Sequence, residues 1–157
     1  MSTDVAASVS FRVASPKDLA AILSLLADDA VAQTRTGYAE APTQAAVAAF
    51  DEIAGDPNNE LLVGERHGEL IATLQLTIIP GLSRGGMRRA QVEAVRVRAD
   101  LRGQRIGERL MNYAIERARQ RGCGLMQLTT DLRRAEAHRF YLRLGFEASH
   151  AGMKRAL

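Results

Sequence analysis

The sequence predicts an α/β domain, a mixed sheet flanked by helices, and three observations carry that expectation. Strand-like runs and helical periodicities follow one another along the chain. The strand, helix, strand succession from Gln91 to Thr130 asks for a parallel pair. The composition, 46% apolar and 25% charged over 157 residues, suits one core, and no linker, repeat or low-complexity tract divides it. Residues 1–157 are therefore expected to form a single domain.

The elements come in order. Val9 to Ala14 alternates apolar and polar residues like a half-buried strand. Ser15-Pro16 with Asp18 marks a helix start, and Leu19, Ile22, Leu23 and Leu26 succeed it at helical spacing. A second helix is expected from Thr43 to Ala54, favoured by its alanines and stopped by Gly55-Asp56-Pro57. Leu61 to Glu65 and Glu69 to Ile79 read as strands joined by a turn at His67-Gly68, with Pro80-Gly81 ending the second. Gln91 to Val97 is a further strand.

The most periodic helix runs from about Gln104 to Gln120, with Ile106, Leu110 and Ala114 on one stripe and Met111, Ile115 and Ala118 beside it. Leu125 to Thr130 supplies another strand. Ala135 to Leu144 forms a helix closed by Gly145, and Phe146 onward is expected to return as one or more terminal strands.

Composition narrows the function classes. The start of the chain lacks the basic residues and apolar run of a signal peptide, and no stretch reaches the roughly twenty apolar residues of a membrane span, so a cytoplasmic location without membrane contact is expected. One cysteine, Cys123, forms no internal disulfide and reads as a buried thiol. Three separated histidines, His67, His138 and His150, offer no metal-ligand spacing, and no metal is expected.

The net charge is only +3, yet Arg84, Arg88, Arg89, Arg96, Arg98, Arg102, Arg105 and Arg109 crowd one segment against Glu93, Asp100 and Glu108. Guanidinium forks suit phosphate oxygens, so the segment points to a nucleotide-like cofactor, to nucleic acid, or to plain solvated surface.

The sharpest passage is Val95 to Gly107, where a strand ends in a basic, glycine-containing turn that opens a helix. The first amides of a helix lack internal partners and carry the positive end of its dipole, so such a turn offers several N–H groups to a phosphate. The Gly-Lys-Ser/Thr ending of a Walker loop is missing, and the glycine spacing is not that of a Rossmann turn.

This passage resembles the acetyl-CoA motif of the GCN5-related N-acetyltransferase (GNAT) family: Arg or Gln, two residues, Gly, one residue, then Gly or Ala. Arg102 and Gly107 match, and Arg105 stands where the middle glycine is usual. Phe140-Tyr141 and Leu144-Gly145-Phe146 resemble the family's late helix and the strand after it; Ala137 sits where a small residue meets the cofactor, and Arg134 where asparagine is common.

The resemblance implies a mixed, mostly antiparallel sheet of six to seven strands with about four helices, splayed in the middle at the acetyl-CoA site. It implies acetyl-CoA as co-substrate, held by Val95, Arg96, Val97, by the turn Arg102, Gly103, Gln104, Arg105, Ile106 and Gly107, and by Arg134 and Ala137. Glu93 becomes the general base and Tyr141 the acid toward the departing thiolate, with direct transfer in a ternary complex. Read without the family, Glu93 could be only an ion-pair partner, Tyr141 a core aromatic and His138 a packed or solvated histidine.

The acceptor is expected to be the primary amine of a small molecule. Leu128 to Asp131 and Ala137 to Arg143 resemble the aminoalkylphosphonate N-acetyltransferases in particular. In that case arginines such as Arg35 or Arg84 would face the phosphonate, with Tyr38 in the same acceptor region. The alternatives are acetylation of a protein or peptide amine, and a non-catalytic module binding CoA or nucleic acid. The scarcity of aromatic residues argues against a base-stacking surface. Family habit suggests a homodimer.

Overall fold

The computed structural model describes residues 8–28 and 42–157. Arg35 and Tyr38, both expected near the acceptor, lie outside the described residues. Five strands form one sheet in sequential order: β1 (Ser10–Val13), β2 (Asn59–Arg66), β3 (Glu69–Ile79), β4 (Arg88–Val97) and β5 (Cys123–Leu128). β1 through β4 are antiparallel neighbours, and β4 and β5 are parallel. Among the described residues four helices flank the sheet: α1 (Leu19–Ala27), α2 (Gln44–Gly55), α3 (Ile106–Gln120) and α4 (Ala135–Arg143), with a single tight turn at Ser83–Gly86 before β4.

Local chemistry explains the boundaries. Asp18 accepts from the Ser15 amide and hydroxyl at 2.7 and 3.1 Å and opens the helical stretch that leads into α1. Thr43 caps α2 by accepting from the Ala46 amide at 3.1 Å. His67 and Gly68 both take positive φ, 52° and 78°, the pairing that matches a two-residue hairpin to strand twist.

The sheet's two faces carry different layers. On one, Leu62, Leu74, Leu76, Ile78, Ala90 and Val92 form the main core with Ile106, Leu110, Met111, Ala114 and Ala118 of α3, the apolar stripe expected of that helix. The other face is thinner: Val63 meets Ile22 of α1 and Phe50 of α2, with Leu61, Leu19 and Leu26 around them. Arg117 of α3 reaches Glu60 of β2 at 2.6 Å and fixes the helix across the sheet.

The expected terminal strand is absent among the described residues, which leaves five strands where six to seven were expected. The Phe146 amide donates to the Tyr141 carbonyl at 3.1 Å, closing the end of α4, and its ring meets Tyr141 edge-on at 5.8 Å. That backbone is committed to ending a helix, and the exposed residues after it carry no regular structure.

One irregularity in β4 shapes the middle of the sheet. Glu93 pairs with Gln75 and Arg96 with Thr73, so β4 holds one more residue than β3 over this interval, and the extra residue bulges at Ala94, φ 54°. Before the bulge Ala90 and Val92 enter the main core; after it Val95 and Val97 do.

Candidate functional site

β5 pairs with β4 only as far as Val92, opposite Leu128. β4 continues to Val97, so the stretch Glu93–Val97 has no strand alongside on its β5 flank. The splay expected in mid-sheet is this fork, and it opens at the bulge. Beyond Val97, the short helical turn Ala99–Leu101 and the Gly103–Arg105 turn lead into α3.

The turn is built by backbone conformations that alternate between ordinary and left-handed. Gly103 stands at φ 80°, and Arg105 at φ 60°, ψ 13°, the left-handed region in which a glycine is usual. Arg105 thus follows the backbone path of the glycine it replaces. Its side chain is 76% exposed and bonds Glu108 at 3.0 and 2.9 Å. Among the described residues no side chain caps α3, so its first amides are left to a ligand or solvent. The buried Oε1 of Gln104 also has no partner among them. A phosphate-bearing cofactor with amide donors of its own fits this donor and acceptor set.

Gly107 brings α3 close to its neighbours: a Cβ there would stand 3.4 Å from Phe140 and 3.5 Å from Val97. Ile106, 1% exposed, anchors the same turn in the core. Arg102 opens the same turn. Its guanidinium donates to the Val97 carbonyl and to the Asp28 carbonyl at the end of α1, both at 3.2 Å, and so locks the turn to the strand and the first helix. Arg98 is taken up by Glu69 and Asp100. Arg109 donates to the Val9 carbonyl and lies over the Phe11 ring.

Tyr141 lies on α4 against the main core, edge-on to Phe140 at 5.1 Å. Burial pushes its phenol above the ordinary 10.0, while Arg96 and Arg134 pull it back. Those two arginines, one on β4 and one at the start of α4, are therefore within electrostatic reach of the hydroxyl, and the three expected site residues come together. Ala137 is half-buried on the first turn of α4, and the Nε2 of His138 is buried without a partner among the described residues.

Glu93 is exposed and joins no ion pair among the described residues, despite the arginines around it in sequence. Its strand partner Gln75 and its neighbour Ala94 both line an apolar cavity of about 170 Å³ between α1, α2 and the sheet. Sequence patterning missed this cavity, because its walls read as ordinary helix faces.

Arg84 is not brought to this region. It sits at the opposite end of β4, lining a cleft with Arg88, Gln120 and Arg121. The sequence gap between Arg84 and the fork is traversed by an extended strand, which carries the two ends apart. Cys123 is half-buried and packs on the main core, and burial raises its thiol. Among the described residues no three His, Cys, Asp or Glu side chains gather to hold a metal, and no helix is long and apolar enough to cross a membrane.

Comparison with known proteins agrees with this architecture. The chain is 36% identical over 102 residues to an aminoalkylphosphonate N-acetyltransferase from Salmonella typhimurium, covering 65% of this chain and 66% of that protein. The chain thus spans just under two thirds of the length of that curated relative. Among solved structures, a transcriptional regulator from Bacillus halodurans superposes with a TM-score of 0.90 at 45% identity, covering 95% of this chain and 99% of that one. An acetyltransferase from Trypanosoma brucei gives a TM-score of 0.75 at 25% identity, with 95% and 99% covered. The model of the GNAT acetyltransferase family matches residues 20–146, from α1 through the fork to Phe146, and the chain belongs to that family.

Proposed function

We propose that this domain transfers an acetyl group from acetyl-CoA directly to the primary amine of a small molecule, both substrates being bound at once. The fork carries this reading: β5 ends beside Val92 and leaves Glu93–Val97 with an open edge that runs into the uncapped start of α3. An extended thioester arm fits beside such an edge, with its phosphates at the turn. Val95, Arg96 and Val97 line the arm, and the turn from Arg102 to Gly107 receives the phosphates, with Arg134 and Ala137 closing the other side.

When bound, acetyl-CoA supplies an activated acyl group and a thiolate leaving group. Glu93 takes the proton of the attacking amine, directly or through water, as the new C–N bond forms. The Val95 amide donates to the acyl oxygen while negative charge builds there. Tyr141 gives its proton to the sulfur as the C–S bond breaks, and its raised pKa keeps that proton in place through neutral pH. No step requires an acyl-enzyme.

The similarity to an aminoalkylphosphonate N-acetyltransferase makes aminoalkylphosphonates the first acceptors to test. A thiol-release assay with acetyl-CoA against aminoalkylphosphonates, alkylamines, polyamines, aminoglycosides and peptides checks the proposal. CoA release confined to small amines is expected. Release only with peptides would move the acceptor to a protein amine, and no release with any class would overturn the reading. A cytoplasmic homodimer is the proposed working form, checked by light scattering.

A regulator-like, nucleic-acid-binding role has one observation in its favour: the Bacillus halodurans relative is named a transcriptional regulator. Against it, Arg98, Arg102, Arg105 and Arg109 are engaged by carboxylates and carbonyls of the same chain. Salt-sensitive DNA binding indifferent to CoA would reverse the choice.

A further inference from the structure

The cavity beneath α1 and α2 offers information about the acceptor that the fork does not. Its walls are Leu23, Leu26, Ala46 and Ile53, and its floor is Thr73, Gln75 and Ala94 of the two central strands. The hydroxyl of Thr73 and the amide nitrogen of Gln75 are already engaged. The Thr73 hydroxyl donates to the Leu62 carbonyl at 3.1 Å, and the Gln75 amide donates to Asn59 Oδ1 at 3.2 Å. Among the described residues, what faces the space is therefore almost wholly apolar, and a charged headgroup placed there would lose its hydration without replacement from them.

Two features tie this space to the chemistry. Ala94 is the bulge itself, between Glu93 and Val95, and Gln75 is the strand partner of Glu93. The volume, about 170 Å³, is comparable with an apolar cavity of about 150 Å³ that stays dry and takes up benzene. We infer that the acceptor carries an apolar substituent up to the size of a phenyl ring or a branched alkyl chain, which lodges in this cavity and presents the amine to Glu93. Any phosphonate on the acceptor stays outside it. The inference rests on the proposed acetyl transfer and names the acceptor class more narrowly.

The test is a series of primary amines from ethylamine through butylamine and isopentylamine to benzylamine, assayed by thiol release with the full chain. The value of kcat/KM is expected to rise about fourfold per buried methylene, the ~0.8 kcal/mol of a buried CH₂, and to fall beyond ring size. Ala46→Phe fills the cavity and should flatten the series, bringing the benzylamine-to-ethylamine ratio of kcat/KM toward one; Ala46→Leu gives a graded version should the larger side chain disturb folding, which circular dichroism reports. A flat wild-type series with normal CoA release overturns the inference and leaves acetyl transfer standing. Silence with every amine overturns acetyl transfer, and ligand-observed NMR of benzylamine then decides the cavity alone. Binding lost in Ala46→Phe sustains the cavity, and no binding to wild type overturns it.

Discussion

Arg105 donates to both carboxylate oxygens of Glu108, at 3.0 and 2.9 Å, from a backbone held at φ 60°. The pair lies over the first turn of α3, on a conformation that side chains disfavour. An exposed pair of this kind adds little stability. Arg105→Gly should therefore raise Tm by about 2–4 °C, measured by thermal unfolding. Its KM for acetyl-CoA should also rise several-fold, by less at high salt, since a cation is lost beside the phosphates. Arg105→Ala should show the KM effect without the gain in Tm.

Glu93→Gln separates base from bystander. Because Glu93 joins no ion pair among the described residues, the change should leave stability and acetyl-CoA affinity nearly as they are. The rate with amine should fall roughly 10²-fold and recover at higher pH, where more of the amine is already neutral. Steady-state rates across pH, beside calorimetric CoA binding, check this. Wild-type turnover would remove Glu93 from the mechanism.

For Tyr141, pH provides a second handle. Its folded pKa lies above the ordinary 10.0, so the buried neutral phenol contributes stability that is complete below about pH 10 and is lost as pH rises through the folded value. Alkaline unfolding of wild type should show this loss and Tyr141→Phe should not. The same variant should slow transfer tenfold or more while binding acetyl-CoA normally. An unchanged rate would assign the ring to packing alone.

At the other end of the fold, Asp18 accepts from Arg12 at 2.7 and 3.0 Å and from Ser15, and its carboxyl is held down to about 2, first by Arg12. A lowered folded pKa places the stabilisation above the ordinary 3.8 and removes it as pH falls toward 2. Asp18→Asn should cost about 2 kcal/mol at pH 7 in urea denaturation. The gap from wild type should close between about pH 4 and pH 2.

The sequence made the regular parts of this molecule legible. The spacing of Ile106, Leu110 and Ala114 predicts α3 because only one helical face meets the sheet, and Thr43 with Gly55-Asp56-Pro57 brackets α2 to within a residue. β4 begins earlier than expected, at Arg88 rather than Gln91, since sheet pairing rather than apolar alternation holds its first residues. The late apolar pair Leu144 and Phe146 resembles a strand start, but helix closure consumes the amide a ladder would need.

Site residues divide in the same way. Arg96, Arg134 and Tyr141 converge, and Glu93 and Arg105 flank the same fork, because motif spacing travels with the elements that carry it. Arg84 does not, because charge composition records no direction and the residue lies at the far end of a strand; Arg102 is in the turn where the motif puts it, with its side chain turned back on two carbonyls. Nothing about an alanine announces a left-handed bulge, so the acceptor cavity floored by Ala94 stayed out of reach of pattern.

Along β4, residue number matters as much as residue type. Deleting Ala94 would remove no functional group and would leave the faces as they are, since Glu93 and Arg96 would then pair with Gln75 and Thr73 with one residue between them on each strand. Val95 and Val97 would still enter the main core, but the bend that the bulge gives the strand would go. A homologue aligned with a gap there would keep the entire motif in letters and in phase, and lose the bend at which the fork opens.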